Sequence, residues 1–274
     1  MPTIYLDHNI IAIAAGLPLK PTAPDVRARI GALLHAGHRF ALSAWNAFEL
    51  AQSQQQDHVH SCCAFIESIN PIWVSNGNYV KRKELKRFLS GAPDHRIPAL
   101  SNLVSQMWAT YGDGAAVTIG ETFTNTVREL RGAPEALATV QAAARMTPEA
   151  IEIGRQARDD GRLAANADIV DREYFAMLLG SIDRDALDHV MGRLREVLAA
   201  CPAIAVENRL TQIRVSENFN PEPGDAADLQ HAIVGLAYCD HFVSDDKMLV
   251  EHCRRAVRDC GLRCGVHRSV AEVP

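Results

Sequence analysis

A short strand, a polar turn and a helix follow one another at the start of this chain and again towards its end. At the N-terminus, Thr3 to Leu6 favour a strand, Asp7-His8-Asn9 form a turn, and the apolar run from Ile10 favours a helix. Strands that alternate with helices connect through right-handed crossovers, which place the strands parallel in one sheet with helices on both faces. The pattern therefore predicts an α/β fold, a three-layer sandwich around a parallel sheet.

The alternation continues in the next segment and returns near the C-terminus. A helix at Val26 to Ala36 leads to a strand at Arg39 to Leu42, and Ser43 can cap a helix from Ala44 to Gln56. Later elements are a helix from Asp225 to Tyr238, a strand from His241 to Ser244 and a last helix at about Lys247 to Val257. Further strands are predicted at Pro71 to Ser75, Thr211 to Val215 and Arg263 to His267.

The middle of the chain, from about Asn78 to Ala200, has a different composition. It is rich in Ala, Arg, Glu and Leu and contains repeated helix-start signals, such as Thr147-Pro148-Glu149 and Asp183. We interpret residues 78–200 as a large helical insertion. Residues 1–75 and 201–274 then form the two parts of one α/β domain.

Composition limits the classes of function. With 274 residues and 47% hydrophobic content, the chain can bury a substantial core. Its formal net charge of −5 argues against a globally basic nucleic-acid coat, although a local patch can contact phosphates. The seven cysteines lack Cys-x2-Cys spacing, which indicates reduced thiols in a cytoplasmic protein. The early run Ile10 to Leu17 is too short to span a bilayer, so we expect no membrane partner.

Acidic residues stand where an open parallel sheet places its functional groups, beyond the carboxyl ends of the strands. Asp7 follows the first strand, and Asp245 with Asp246 follows the strand before the last helix. Asp228 lies near the start of the preceding helix, and Glu49 lies about one and a half turns into its own helix. Clustered carboxylates repel one another unless a dication is bound, and oxygen ligands favour Mg²⁺ or Mn²⁺.

Each acid also has a structural interpretation. Aspartate in a first helical turn is commonly a cap or a partner of the helix dipole, which is the preferred interpretation for Asp225 and Asp245 taken singly. For Asp228 the structural and metal-binding interpretations are evenly balanced. Glu49 could simply occupy the polar side of an amphipathic helix.

These residues resemble the PIN-domain family of nucleases. The matching segments are Ile4-Tyr5-Leu6-Asp7, Leu42-Ser43 with Glu49-Leu50-Ala51, Asp228-Leu229-Gln230-His231-Ala232 and Phe242-Val243-Ser244-Asp245-Asp246. The resemblance covers about residues 1–75 and 200–274, and the central helices fall outside it. It implies a PIN-like sandwich carrying a large insertion.

The resemblance also implies roles for individual residues. Asp7, Glu49, Asp228 and Asp246 would be the catalytic acids and metal ligands, and Ser244 occupies the family's usual hydroxyl position. Asn9 and Asp245 would support the site. His231, three residues after Asp228, either contacts substrate phosphate or a nearby water, or is a buried structural histidine.

The implied function is phosphodiester hydrolysis by an endoribonuclease with Mg²⁺ or Mn²⁺, with RNA as the expected substrate and DNA as the alternative. A basic run could contact the phosphate backbone, or could be a solvated helix face. Its residues are Lys81, Arg82, Lys83, Lys86 and Arg87. A homo-oligomer and an antitoxin-like protein partner both remain open.

Two other classes of function compete. One is a non-catalytic PIN-like module that binds RNA or a protein through its helical insertion. The other is a phosphatase that uses Asp7 as a covalent nucleophile, but Asn9 stands where such a site needs its second acid.

Overall fold

The computed structural model describes residues 1–16, 23–75, 77–91, 100–101, 122–161, 168–180, 184–217 and 224–274. The strands in these ranges are β1 (Thr3–Leu6), β2 (Arg39–Ser43), β3 (Ile72–Val74), β4 (Leu100–Ser101), β5 (His241–Val243) and β6 (Gly265–His267). The helices are α1 (His8–Ala14), α2 (Ala23–His35), α3 (Ala44–Gln52), α4 (Gln56–Ile69), α5 (Gly77–Ser90), α6 (Phe123–Arg131), α7 (Pro134–Asp159), α8 (Arg172–Leu179), α9 (Arg184–Gly192), α10 (Leu194–Ala200), α11 (Pro202–Ser216), α12 (Gly224–Tyr238) and α13 (Lys247–Asp259).

The strands form one sheet in the order β4-β3-β2-β1-β5-β6. Five neighbouring strands, β3-β2-β1-β5-β6, pair in parallel. The edge strand β4 pairs antiparallel with β3. The predicted α/β class with a parallel sheet is therefore confirmed. Because β1 lies between β2 and β5, the residue that follows it is flanked by the ends of both neighbours.

Helices cover both faces of the sheet, as the alternation of side chains along a strand requires. Ile4 and Leu6 pack in one core with α1, α2, α3, α4 and α6. Tyr5 points to the other face and packs with Phe242 and residues of α5, α11, α12 and α13. The strands β1 and β3, and β2 after Arg39, are buried on both faces, which explains their apolar sequences.

Hydrogen bonds from side chains fix where two of the helices beside β1 begin. Ser43 caps α3, because its hydroxyl accepts from the backbone N–H of Trp45 while the Asn46 side chain accepts from the N–H of Ser43. Asp246 caps α13 by accepting from the N–H of Leu249 at 2.7 Å. Both helices therefore start at the carboxyl ends of their strands.

One predicted strand is wrong. Thr211 to Val215 belong to α11, whose described side chains are buried at Gln212, Ile213, Arg214 and Val215 alike. A helix that is enclosed on most sides loses the 3.6-residue periodicity, and the remaining alternation of polar and apolar residues imitates a strand. The strands predicted at Pro71 to Ser75 and Arg263 to His267 are present as β3 and β6.

Helices dominate the described residues between β3 and α11, apart from the short β4. Leu85 of α5 and side chains of α8, α9 and α10 form a third apolar cluster that reaches Ile204. By contrast, α6 contributes Phe123, Val127 and Leu130 to the core under the sheet. Helices of the predicted insertion thus pack directly against the α/β layers.

Of the two helix starts predicted in this part of the chain, one differs from the structure. Positions 147–149 lie inside the continuous helix α7, so the predicted start at Thr147 is wrong: a local capping signal is weak against the propagation of a longer helix. Asp183 lies outside the described residues, and α9 begins at Arg184. Among the described residues, none of the helices is long and apolar enough to cross a membrane.

Candidate functional site

Asp7 lies at the carboxyl end of β1, in contact with the end of β5. Its backbone N–H donates to the carbonyl of Val243 (3.0 Å), and its carboxylate accepts from the Ser244 hydroxyl (2.7 Å) and from the N–H of His8 (2.7 Å). The carboxylate is almost completely buried, with 1% of the residue exposed. The β1–β5 pairing therefore places Asp7 beside Ser244, as the sequence predicted for neighbouring strand ends.

Glu49 of α3 and His231 of α12 meet across the same edge of the sheet. Nε2 of His231 lies 3.0 Å from Oε2 of Glu49, and Nδ1 of His8 lies 3.8 Å from the same oxygen. The His231 side chain is fully buried, whereas that of Glu49 is 27% exposed. The Glu49 carboxylate thus forms the accessible side of this pair.

The other nitrogen of His231 contacts Tyr5, whose hydroxyl oxygen lies very close to Nδ1. The Tyr5 hydroxyl also hydrogen-bonds with the Ser43 hydroxyl (2.8 Å), and Oγ of Ser43 lies 3.3 Å from the same nitrogen. Because the ionised Glu49 carboxylate is only an acceptor, Nε2 of His231 donates to it. A positively charged His231 can donate from both ring nitrogens, to Glu49 and to the Tyr5 oxygen.

The electrostatic shifts agree with a charged His231. Burial alone lowers the pKa of His231, but the negative charges of Glu49, Asp7 and Asp228 outweigh it, and the net shift is upward. Burial raises the pKa of Glu49, but His231 and then His8 outweigh that effect, and the pKa falls below its usual value. Glu49 and His231 therefore stabilise each other as an ion pair.

Two carboxyl groups carry the opposite shift. Burial raises the pKa of Asp7, Glu49 adds to the increase, and His231 opposes it. Burial also raises the pKa of Asp228 to about 7; Asp7 adds to this shift, while His231 and Arg214 oppose it. Asp7, Glu49 and Asp228 are thus close enough to repel one another, and His231 and Arg214 compensate only part of their charge.

The fourth predicted acid, Asp246, has a structural contact of its own. Its carboxylate caps α13, and its N–H donates to the Ser244 hydroxyl (3.2 Å), which in turn donates to Asp7. Asp246 therefore connects to Asp7 through Ser244. Asp245 is half-buried, and its carbonyl accepts from Arg268.

The remaining predicted residues differ in their surroundings. Asn9 is exposed in the first turn of α1, two residues after Asp7. In the basic run of α5, Arg82, Lys83 and Lys86 are exposed. Lys81, however, is buried and paired with Glu207 at 2.6 Å, and Arg87 donates to the carbonyl of Ala200. The predicted phosphate contact of Lys81 therefore does not fit, because its charge is already neutralised inside the protein.

Sequence reasoning missed residues that build the site from within, namely Tyr5, His8 and Arg214. Tyr5 stands two residues before Asp7, and this spacing of two, which places side chains on one face of a strand, was a usable signal. Arg214 is buried, and it lies in the segment that was mistaken for a strand. The guanidinium donates to the carbonyl of Asp225 (2.7 Å), so it supports the first turn of α12 near Asp228.

The donor chemistry of the site fits a hard divalent cation, because the partly uncompensated groups are carboxylates. The side chains as they stand do not enclose one: among the residues described, no group of three or more His, Cys, Asp or Glu side chains is arranged to hold a metal ion. Glu49 would first have to exchange its contact with His231 for the cation.

The fold and site define the chain as an α/β protein with three carboxylates at the end of its central parallel strand, of which Asp7 is buried and Glu49 and Asp228 are partly exposed. Comparisons with models of known protein families, with curated proteins and with solved structures give no match.

Proposed function

We propose that this chain is a PIN-like, Mg²⁺- or Mn²⁺-dependent nuclease that hydrolyses phosphodiester bonds, with RNA as its substrate. The observation that carries the proposal is the cluster of Asp7, Glu49 and Asp228, in which the pKa values of Asp7 and Asp228 are both raised. Buried carboxylates that repel one another bind a dication favourably, because the cation removes both the repulsion and the need for a proton. Asp246, joined to Asp7 through Ser244, would complete the acidic edge.

The residues of the chain have separate parts in this proposal. Asp7, Glu49 and Asp228 would hold the cation, which when bound supplies a polarised water and stabilises negative charge on the phosphate. Ser244 orients the Asp7 carboxylate through its hydrogen bond, so it is a positioning residue. His231, protonated between Tyr5 and Glu49, keeps positive charge beneath the acids when no cation is bound. Exposed Arg82, Lys83 and Lys86 remain as candidate contacts to the phosphate backbone.

Cleavage assays with variants test the proposal. Purified protein is incubated with labelled single-stranded RNA, and in parallel with DNA, in Mg²⁺, in Mn²⁺ and in EDTA. We expect cleavage that needs the metal and falls by about 10²-fold or more in Asp7→Asn, which keeps the side-chain shape but removes a charged ligand. Asp25→Asn makes the same chemical change at an exposed position and should cleave like the wild type. Equal cleavage by wild type and Asp7→Asn, or none by either, would contradict the proposal.

One observation favours a second candidate, a non-catalytic PIN-like module that binds RNA or a protein. Glu49 is held by His231, and the Asp246 carboxylate caps α13, so two of the four acids already have structural partners. This candidate predicts RNA or protein binding without turnover and without dependence on Mg²⁺. Binding that survives Asp7→Asn unchanged, in a protein that never cleaves, would support it over the nuclease.

A further inference from the structure

A pair of histidines lies on the face of the sheet opposite to Tyr5 and His231. His241 starts β5 and His267 ends β6, and both side chains project on the same side as Val243, which packs in the core beneath α1 and α2. Both residues are only partly buried, so solvent reaches them. Neither belongs to the carboxylate cluster described above.

The two imidazoles direct nitrogens at each other. Nδ1 of His241 lies 3.1 Å from Nε2 of His267, and the ring centroids are 5.2 Å apart at an angle of 48°. Two nitrogens that each bind a metal at about 2.0–2.1 Å lie about 2.9 Å apart for a right-angled pair and about 3.3 Å apart for a tetrahedral pair. The observed separation lies between these values, so the pair needs little rearrangement to chelate one ion.

Gly265, which pairs with His241 in the sheet, keeps the space between the rings open. A Cβ at this position would lie 2.8 Å from Nδ1 of His241 and 2.8 Å from Nε2 of His267. Both nitrogens therefore lie equally close to a point that a side chain on residue 265 would occupy. A side chain on this residue would fill the space that an ion requires.

A third imidazole adjoins the pair. The His38 ring lies 6.4 Å from that of His241, and its Nδ1 is buried with no hydrogen-bond partner in the part of the chain that the structure describes. Asp240 also lies near His241, and its Oδ2 accepts from the N–H of Thr3 at 2.7 Å. The groups that approach each other within bonding range of one ion are the nitrogens of His241 and His267.

The local electrostatics of the pair favour neutral imidazoles, which is the form that binds a metal ion. Burial lowers the pKa of His241, with Asp240 opposing and His38 adding to the shift. Burial also lowers the pKa of His267, with His241 and Arg254 adding to the shift and Glu272 opposing it. In the neutral pair one imidazole donates its hydrogen to the other across the nitrogen contact. An ion that binds both nitrogens requires the donor ring to change tautomer, so that its hydrogen moves to its other ring nitrogen and both ligands stay neutral.

We propose that His241 and His267 form a binding site for one borderline transition-metal ion, Zn²⁺, Ni²⁺ or Cu²⁺, with water in the remaining positions and His38 beside it. Imidazole nitrogens select such ions over Mg²⁺, whereas the carboxylate cluster has the opposite preference. The site requires two side-chain ligands, and it does not depend on the proposed nuclease function.

Metal titration of the full chain, without a histidine tag, tests this site. Ni²⁺ binding is measured by calorimetry in excess Mg²⁺, which occupies oxygen-ligand sites. We expect one equivalent to bind to the wild type and to His60→Gln, which removes an exposed histidine elsewhere. In His241→Gln and His267→Gln, Ni²⁺ affinity should fall about tenfold or more. Loss of a residue that merely orients a metal ligand already has an effect of this size, and these variants lose a ligand itself. Unchanged binding in both variants would overturn the proposal.

A second measurement uses only the wild type and therefore does not depend on the folding of a variant. Substoichiometric Cu²⁺ broadens the NMR signals of nearby amides, and the proposal predicts that Gly265 and Phe242 broaden first. Broadening that starts instead around Asp7 or Asp228 would place the ion at the carboxylates and overturn the histidine site. Absence of selective broadening would overturn it as well.

Discussion

At the scale of single residues, the site is a balance between three carboxylates and two cationic groups. His231 holds Glu49 in its ionised form, and Arg214 lies near Asp228 without bringing its pKa below about 7. A mixed pattern of raised and lowered carboxyl pKa values is typical of functional sites, because each group sits in a different local field. The pKa values of Asp7 and Asp228 are both raised, so the cationic groups of the site do not fully compensate the negative charges of these two carboxylates.

The charge of Asp7 should be measurable at Asp228. In Asp7→Asn the pKa of Asp228 should fall below its wild-type value of about 7 but stay above 3.8, because burial, the largest cause of the shift, remains. Carbon-detected NMR titration of the side-chain carboxyl groups in metal-free protein measures this directly. Asp25→Asn serves as the control and should leave the pKa of Asp228 unchanged; an unchanged pKa in Asp7→Asn would show that the two carboxyls do not interact.

At the scale of elements, the site depends on how closely α12 approaches the sheet. Gly235 stands one turn after His231 on α12, and it faces the rings of Phe242 and Tyr5. The close approach brings His231 within contact of Tyr5 and places Asp228 near the end of β1. Gly235 has ordinary helical backbone angles, so its conformational freedom is not what the fold uses. The fold uses its lack of a side chain, which lets α12 pack close to Phe242 and Tyr5.

Substitution of this glycine should destabilise the protein. In Gly235→Ala the new Cβ would lie 2.9 Å from Cδ2 of Phe242 and 3.1 Å from Cγ of Tyr5, so α12 or the rings must shift, at a cost of about 1–3 kcal/mol. Gly31→Ala is the matched control, because this glycine of α2 has nothing within 4 Å of the added atom and should gain about 0.5–1 kcal/mol. Urea unfolding of both variants measures the difference. Equal effects of the two substitutions would refute the close-packing account.

The elements that the sequence predicts well are short apolar runs that end at a polar residue. Thr3 to Leu6 and Arg39 to Leu42 are short apolar runs with a polar residue after them, and their strands are present as β1 and β2. The strand predicted at Thr211 to Val215 fails because Gln212 and Arg214 are buried as well as Ile213, and burial on most sides removes the periodicity. Polar residues inside the core are invisible to a pattern that equates polar with exposed.

At the scale of the whole molecule, the sequence predicts the sheet and the meeting of strand ends, but not the internal partners. Asp7 and Ser244 could be brought together because the carboxyl ends of parallel strands share an edge. The contacts of His231 with Tyr5, and of Lys81 with Glu207, join residues far apart in the chain through helix packing. Helix packing of this kind has no local sequence signal, so Lys81 looked like a surface charge.

Without added metal ions, the free energy of unfolding should depend on pH through the titration of Asp228. Its pKa is 3.8 in an unperturbed chain and about 7 in the fold, so the folded state holds a proton that the unfolded state has released. The stabilisation by that proton is complete below pH 3.8 and is lost as the pH rises through about 7. Relative to Asp228→Asn, the wild type in EDTA should lose on the order of 4 kcal/mol between pH 4 and pH 8.

Denaturant unfolding of wild type and Asp228→Asn across this pH range measures the effect. At pH 8, added Mg²⁺ or Mn²⁺ should raise the melting temperature of the wild type more than that of the variant, because the cation replaces the missing proton. A difference between the two proteins that stays constant with pH would mean that Asp228 titrates normally in the fold.

The location of a bound ion tests most directly whether Asp7, Glu49 and Asp228 form one cation site. Crystals soaked in Mn²⁺ and measured at the manganese absorption edge should give an anomalous peak at about 2.0–2.3 Å from oxygens of Asp7, Glu49 and Asp228. The Glu49 carboxylate should then have left His231, whose Nε2 lies 3.0 Å from Oε2 of Glu49 in the structure described above. If saturating Mn²⁺ gives no peak there and Glu49 stays on His231, the carboxylates do not form a cation site and the nuclease proposal fails.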